Sequence, residues 1–252
     1  MRTGQNLLEY ARITNTHFST MLRLLFPLFA FLLMTSAVLG GAIEAITFAA
    51  EPGRMFLPLD EAADELSWPV RRDDMGKVFQ LKDMLLPPGS LRTLTDGTEL
   101  VSTEQLAEAG AEVSPPDAEC RVRVGGFFRG FTLAVSPQRV EVSLKNQQLR
   151  GWQGRRLVLQ TRVSSGRNGR TPAGEFRAGP FRERMHRSSL YQNAPMPWSV
   201  QINGHVFIHG FTSVPNYPAS HGCIRVPLTE GNPARFFYEW VLNGTPVSVT
   251  RD

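Results

Sequence analysis

The stretch SHGCIR, residues 220–225, sets a cysteine directly after a histidine and a glycine and two positions before an arginine. The thiolate is the reactive form of cysteine, a free thiol ionises near pH 8.5, and a neighbouring imidazole can take its proton. Cys223 therefore has competing readings: an activated nucleophile, a metal ligand, half of a disulfide, or a buried thiol. Upstream, the alternating run HVFIH puts His205, Phe207 and His209 on one face of a strand, with His209 at its end, where loops begin. The Pro-rich connection GFTSVPNYPA is short enough to turn the chain back and bring the Cys223 thiol beside the His209 imidazole. Gly222, lacking a side chain, permits a sharp turn that offers the Gly222 and Cys223 amides to an oxyanion. Arg225 falls on the side of Cys223 in an extended segment, where a guanidinium can grip a carboxylate with two parallel hydrogen bonds.

The bland readings compete with these. A zinc site from His205, His209, His221 and Cys223 is disfavoured, because strand residues four apart lie about 13 Å from each other, too far to share an ion; no metal or cofactor is expected. The only other cysteine is Cys120, and a Cys120–Cys223 bridge would abolish nucleophilic chemistry. His205 alone reads as a strand-face histidine, and Trp198 as either core or substrate-facing. His17 and His186 stand in no motif, and RAGPFRERMHRSS reads as a solvated loop, with lining of a substrate groove as the alternative.

These residues need a scaffold, and from about Phe127 the sequence takes on a β texture. FTLAV, RVEVSL and RRLVLQTRV are strand-like runs, a Gly- and Arg-rich loop SSGRNGRTPAGEF follows, and Asn203-Gly204 between alternating runs predicts a hairpin. Asn232 and Pro233 suit the start of one late helix, ARFFYEWVL, which Asn243-Gly244 stops, and TPVSVT is a final strand. Ahead of this part, MFLPLDEAADELSWPV from Met55 and ELVSTEQLAEAGAEV from Glu99 each read as strand, capped acidic helix start and Ala-rich turn followed by a strand. The repeat is about 44 residues long and predicts a small α+β module over 50–126, with LLPPGS as its joint.

The first part of the chain reads as an address. Arg23 precedes an apolar run from Leu24 to Leu39 and then small residues, the layout of a secretory signal cut after Ala42 or Ala49. Met21 is read as the true start, because the residues before it do not resemble the basic head of a signal. The uncharged span Leu24–Ile43 is also long enough for an uncleaved membrane anchor. Either way the remainder is expected in the periplasm or cell envelope. With 27 basic residues against 23 acidic ones, dispersed along the chain, nucleic acid is not implied, although an anionic wall polymer is compatible.

The block IHGFTSVPNYPASHGCIRV resembles the signature of the L,D-transpeptidase (YkuD-type) catalytic domain: a histidine, a variable loop, then Ser/Thr-His-Gly-Cys, an apolar residue and Arg or Asn. TPAGEF from Thr171 and MPW from Met196 resemble further segments of that family, and the resemblance covers residues 127–252. The loop after His209 is shorter than in many members, which leaves the completeness of an acceptor-side flap open. The resemblance implies a mainly β, sandwich-like catalytic domain with one late helix, preceded by the α+β module. It also implies acyl transfer on peptidoglycan stem peptides, with a tetrapeptide donor and an amine acceptor, and inhibition by carbapenems. Cys223 would attack, His209 would be general base, and His221 and Gly222 would shape the catalytic turn. Ser220, Arg225 and Trp198 would meet the substrate. A water-resolved L,D-carboxypeptidase or crosslink hydrolase, or a non-catalytic wall-binding protein, are the alternatives. The 50–126 module weakly resembles the N-terminal repeat domain of copper amine oxidases. No copper follows, since residues 51–126 contain no histidine and a single cysteine.

Overall fold

A computed structural model describes residues 42–126, 129–229 and 231–252. The expected leader and anchor, with His17, Met21 and Arg23, lie outside the described residues. The first part runs β1 (Ile43–Ala45), β2 (Phe56–Pro58), α1 (Leu59–Leu66), β3 (Val70–Arg72), β4 (Val78–Leu81), β5 (Met84–Leu85), β6 (Arg92–Thr93), β7 (Glu99–Ser102), α2 (Thr103–Glu108), β8 (Glu112–Val113), β9 (Arg121–Gly125) and β10 (Gly130–Val135). The second part runs β11 (Gln138–Ser143), β12 (Gln148–Gln153), β13 (Arg156–Arg162), a 3₁₀ turn (Arg167–Gly169), β14 (Gly174–Arg177), β15 (Arg182–Arg187), β16 (Pro195–Asn203), β17 (Val206–Phe211), β18 (Ile224–Pro227), α3 (Pro233–Trp240) and β19 (Pro246–Thr250). The chain is mainly β, with an α+β part first and one late helix.

The repeat is visible as β2-α1-β3 and β7-α2-β8, and β2 pairs antiparallel with β7, Phe56 opposite Ser102. Only the second copy has the expected side-chain cap. Ser102 Oγ accepts from the Gln105 amide at 3.2 Å and Gln105 Oε1 accepts from the Ser102 amide at 2.9 Å, whereas α1 starts after Pro58 with no side-chain cap.

Two expected boundaries are corrected. Residues 43–49, counted with the leader, belong to the fold: β1 pairs in parallel with β10, and Ala45, Ile46 and Phe48 are buried. Removal after Ala49 would take these side chains out of the core; removal after Ala42 leaves them. The expected division at 126/127 falls inside the β9–β10 hairpin. β10, which contains FTLAV, pairs with β9 and β1, and its Phe131 and Leu133 pack with Leu57, Leu59, Leu81 and Val101 of the first part. Alternating apolar residues fit either sheet, and the partner that decides, β1, is far upstream.

In the second part, one sheet has the order β13-β12-β11-β19-β14 and another β15-β16-β17-β18. Val140, Val142, Leu149 and Leu159 from the first meet Val200, Ile208, Ile224 and Val226 from the second in one cluster, together with Ala234, Phe237 and Trp240 of α3. Asn232 caps α3 by accepting from the Arg235 amide at 3.0 Å, and Pro233 takes the first turn, as expected. The helix stops at Trp240, earlier than Asn243-Gly244, because Val241 turns extended into the core.

Candidate active site

β17 and β18 are neighbouring parallel strands, Ile208 opposite Ile224 and His209 opposite Arg225. Ile208, Ile224 and Val226 fill the shared core. The alternate residues, Phe207 and His209 on β17 and Arg225 on β18, take the other face, and Cys223 stands on it at the threshold of β18. Cys223 and His209 thus share one face, one strand apart. Both Cys120 and Cys223 are free thiols, so the disulfide reading falls. Among the described residues no cluster of three or more His, Cys, Asp or Glu side chains is arranged to hold a metal ion.

His209 is 4% exposed, and its Nδ1 lies 2.9 Å from the Gly210 carbonyl oxygen. A carbonyl only accepts, so Nδ1 carries the hydrogen and Nε2 is the acceptor. Burial pushes the imidazole pKa down to about 4, against the Gly210 carbonyl, with Arg225 and His186 acting in the direction of burial. The half-buried Cys223 thiol points at the His205 carbonyl oxygen, 3.5 Å away. Burial raises its pKa above the ordinary value, and the Phe207 amide and Arg225 act against that. The resting pair is therefore a neutral thiol and a neutral imidazole, suited to general-base transfer during attack rather than to a standing ion pair.

This order fixes the pH behaviour. Nε2 accepts a proton wherever His209 is neutral, so the acid limb of kcat/KM is expected near pH 4 and not near the ordinary histidine value of 6.5. The unfolded imidazole takes its proton at the higher value, so the contribution is fully present above pH 6.5 and is lost as pH falls toward 4. The whole loss is about 3 kcal/mol. Denaturant melts of wild type and His209→Gln at pH 7 and at acid pH check it; an equal acid sensitivity in the two proteins would refute it.

The turn before Cys223 is braced from two sides. Ser220, 2% exposed, donates from Oγ to the Cys223 carbonyl at 2.5 Å and accepts from the Gly222 amide at 3.0 Å. Thr171 Oγ1 donates to the Gly222 carbonyl at 2.6 Å and accepts from the Gly166 amide at 2.7 Å. Gly222 has φ +150°, a conformation that side chains rarely allow. A side chain on Gly166 would put Cβ 2.9 Å from Gly222 Cα, so the two loops touch through glycines. Two expectations change. The Gly222 amide is already bonded to Ser220, which leaves the Cys223 amide, unpaired among the described residues, for an oxyanion. Ser220 braces the turn and has no hydroxyl to spare for substrate.

His221 is exposed; its Nε2 accepts from Arg167 at 2.6 Å, and its ring stacks on Tyr191 at 4.5 Å and 22°. Burial and then Arg167, Arg225 and Arg170 hold it below its ordinary pKa. Arg225 is half-buried with its guanidinium 4.0 Å above the Phe211 ring, and its amide and carbonyl bridge to Ser164, each at 3.0 Å. Trp198 belongs to the other face. Its ring lies against Tyr238 of α3 and beneath Arg184 and Arg235, so of its two readings, core and substrate-facing, the packing on the helix favours the first.

His205 is not on the strand face but in the hairpin turn, because Asn203 pairs with Val206 and leaves Gly204 and His205 as the loop. RERMHR is strand β15 rather than a loop, and His186 stacks on Phe207 at 5.2 Å with Nδ1 2.7 Å from Glu183. Arg167, Arg170, Tyr191 and Thr171 received no role from the sequence. TPAGEF was recognisable, but what Thr171 touches depends on a loop closing against residues far along the chain.

Residues 137–249 match the family model described as YkuD, L,D-transpeptidase catalytic domain. This part of the chain is similar to that catalytic domain. The matched segment begins one residue before β11 and includes every residue of the site just described. Among solved structures, the chain is similar to the L,D-transpeptidase (Yku) of Stackebrandtia nassauensis, at 25% identity over 46% of this chain and 56% of that one, with a TM-score of 0.41. It is similar to residues 123–326 of the L,D-transpeptidase of Xylanimonas cellulosilytica, at 23% identity over 67% and 72%, with a TM-score of 0.41. An L,D-transpeptidase of Mycobacterium tuberculosis is 17% identical over 56% and 76%, again with a TM-score of 0.41. The match thus spans little more than half the length of the Stackebrandtia chain. No curated protein matches this sequence.

Proposed function

We propose that this chain is an exported cysteine acyltransferase acting on peptidoglycan stem peptides, with Cys223 as nucleophile and His209 as general base. The observation that carries the proposal is the fixed tautomer of His209: Nδ1–H is held by the Gly210 carbonyl, and Nε2, able only to accept, lies on the face that carries the thiol. The YkuD family match supplies the substrate class, and the apolar run after Arg23 supports export.

In the first half-reaction Nε2 takes the thiol proton while sulfur bonds to the donor carbonyl carbon. The electron pair moves to oxygen, where the Cys223 amide donates to it. Collapse breaks the carbon–nitrogen bond, the imidazolium returns its proton to the leaving amine, and a thioester remains on Cys223. An acceptor amine then attacks the thioester with His209 taking its proton, an amide forms, and the thiol is restored. A desolvated, neutral pair suits this traffic, since no charge has to be stored between turnovers.

Incubating the protein with disaccharide tetrapeptide and weighing both protein and products tests the proposal. A mass increase on Cys223 equal to the donor minus the terminal amino acid it releases, with crosslinked dimer among the products, is the expected result. Trimmed tripeptide alone assigns the resolving step to water and makes the chain an L,D-carboxypeptidase. Absence of an adduct with both donor and a carbapenem would leave only a wall-binding reading.

A further inference from the structure

Among the described residues, the rim beside Cys223 holds positive charge with no acid paired to it. Arg167 opens the 3₁₀ turn and Arg170 follows its end. That turn is fastened to the catalytic one: the Arg167 amide donates to the Ser220 carbonyl at 3.1 Å, and Gly166 bridges to Ser220. The Arg167 guanidinium donates to His221 Nε2, a neutral partner, at 2.6 Å. Arg170's guanidinium has no hydrogen-bond or ion-pair partner among the described residues. Arg225 contributes a third guanidinium, whose side-chain contact is the Phe211 ring.

Several arginines elsewhere are answered by acids. Arg54 meets Glu51 and Glu104, Arg72 meets Asp60 and Glu99, Arg156 meets Glu61, and Arg235 meets Glu239. At the rim, the charged groups acting on His221 are Arg167, Arg225 and Arg170, all of one sign. Like charges gathered on one exposed rim repel one another, and a bound anion relieves the repulsion while gaining charge-assisted hydrogen bonds. Tyr191, stacked on His221, closes one side of the same rim.

We infer that Arg167 and Arg170, with Arg225, form a subsite for a free carboxylate of the acyl donor, next to the carbonyl that Cys223 attacks. They thereby make the enzyme prefer donors with free carboxylates over donors whose carboxyls are carboxamides. The inference rests on the acyltransferase reading and adds a specificity determinant to it. A stem tetrapeptide offers two such groups, the C-terminal carboxylate of the leaving residue and the side-chain carboxylate of the diamino acid.

The test uses the full chain and three donors: both carboxylates free, the C-terminal one amidated, and the side-chain one amidated. Thioester formation on Cys223 is followed by mass at low salt and at about 0.5 M NaCl. One amidation is expected to lower kcat/KM by about tenfold or more, and which one does so names the carboxylate. The difference should shrink in salt, collapse in Arg167→Gln and Arg170→Gln, and persist in Arg170→Lys, with thermal melting confirming that the variants are folded. Equal kcat/KM for the three donors overturns the inference and leaves the acyltransferase reading standing. So does a preference that survives in the double variant R167Q/R170Q. A protein whose thiol reacts with a small alkylating reagent but forms a thioester with none of the donors overturns both.

Discussion

Cys223→Ala is expected to remove acyl transfer below detection while leaving the melting temperature close to that of wild type. The thiol is half-buried, and its contacts to the His205 carbonyl and the Phe207 amide are weak sulfur hydrogen bonds, so little packing depends on it. His209→Gln should lower kcat/KM by about 10²–10⁴-fold, the range for losing a positioned general base. It should also flatten the acid limb. The two losses differ in kind. Without sulfur there is no covalent intermediate, whereas without the imidazole a thiolate formed by bulk ionisation can still attack, so the residual rate in His209→Gln should climb with pH through the thiol's raised pKa. Acylation rates of the variants across pH 4–10, read by intact mass, check this. Turnover in Cys223→Ala, or a pH-independent residual rate in His209→Gln, would refute the assigned roles.

Expression of the YkuD domain alone, from residue 137 onward, is expected to yield an aggregated or molten protein. Ile46, Phe48, Phe56, Leu94 and Leu100 of the first part lie within the same core cluster as the strands of the second. Each buried side chain of this size is worth about 1.5–3 kcal/mol. Their sum, roughly 10 kcal/mol, is comparable to the whole stability of an ordinary domain. Polar contacts follow the same path: Gln138 donates to the Thr47 and Trp240 carbonyls at 3.2 and 3.0 Å, and Arg92 reaches Glu239 of α3 at 3.1 Å. The fragment should bind a hydrophobic dye and lose its near-ultraviolet circular dichroism. A cooperative melt with retained acylation would show that the first part is dispensable.

What could be read from the sequence was local. The late helix follows from Asn232, Pro233 and the apolar spacing of Phe237 and Trp240. The repeat follows from two strand–helix runs, and the face shared by Phe207 and His209 follows from alternation. The misreadings came where a distant partner decides. β10 had the same apolar alternation as its neighbours, and only β1 settles which sheet it joins. RERMHR looked like a solvated loop because an edge strand needs apolar residues on only one side. Trp198 was ambiguous because its φ of +58° interrupts the strand and aims the ring at α3. The arginines of the 3₁₀ turn could not be told from other surface charge, since which side chains answer them among the described residues is a property of the folded chain alone.

Both parts of the molecule are closed by parallel pairing of early and late strands: β1 with β10, and β11 with β19. β19 comes last of the described strands, and its other neighbour is β14. A ribosome or a translocation pore delivers the chain in order, so β11 lacks one of its two neighbours until β19 emerges. Loss of β19 would consequently part β11 from β14 and expose their inner edges to other chains.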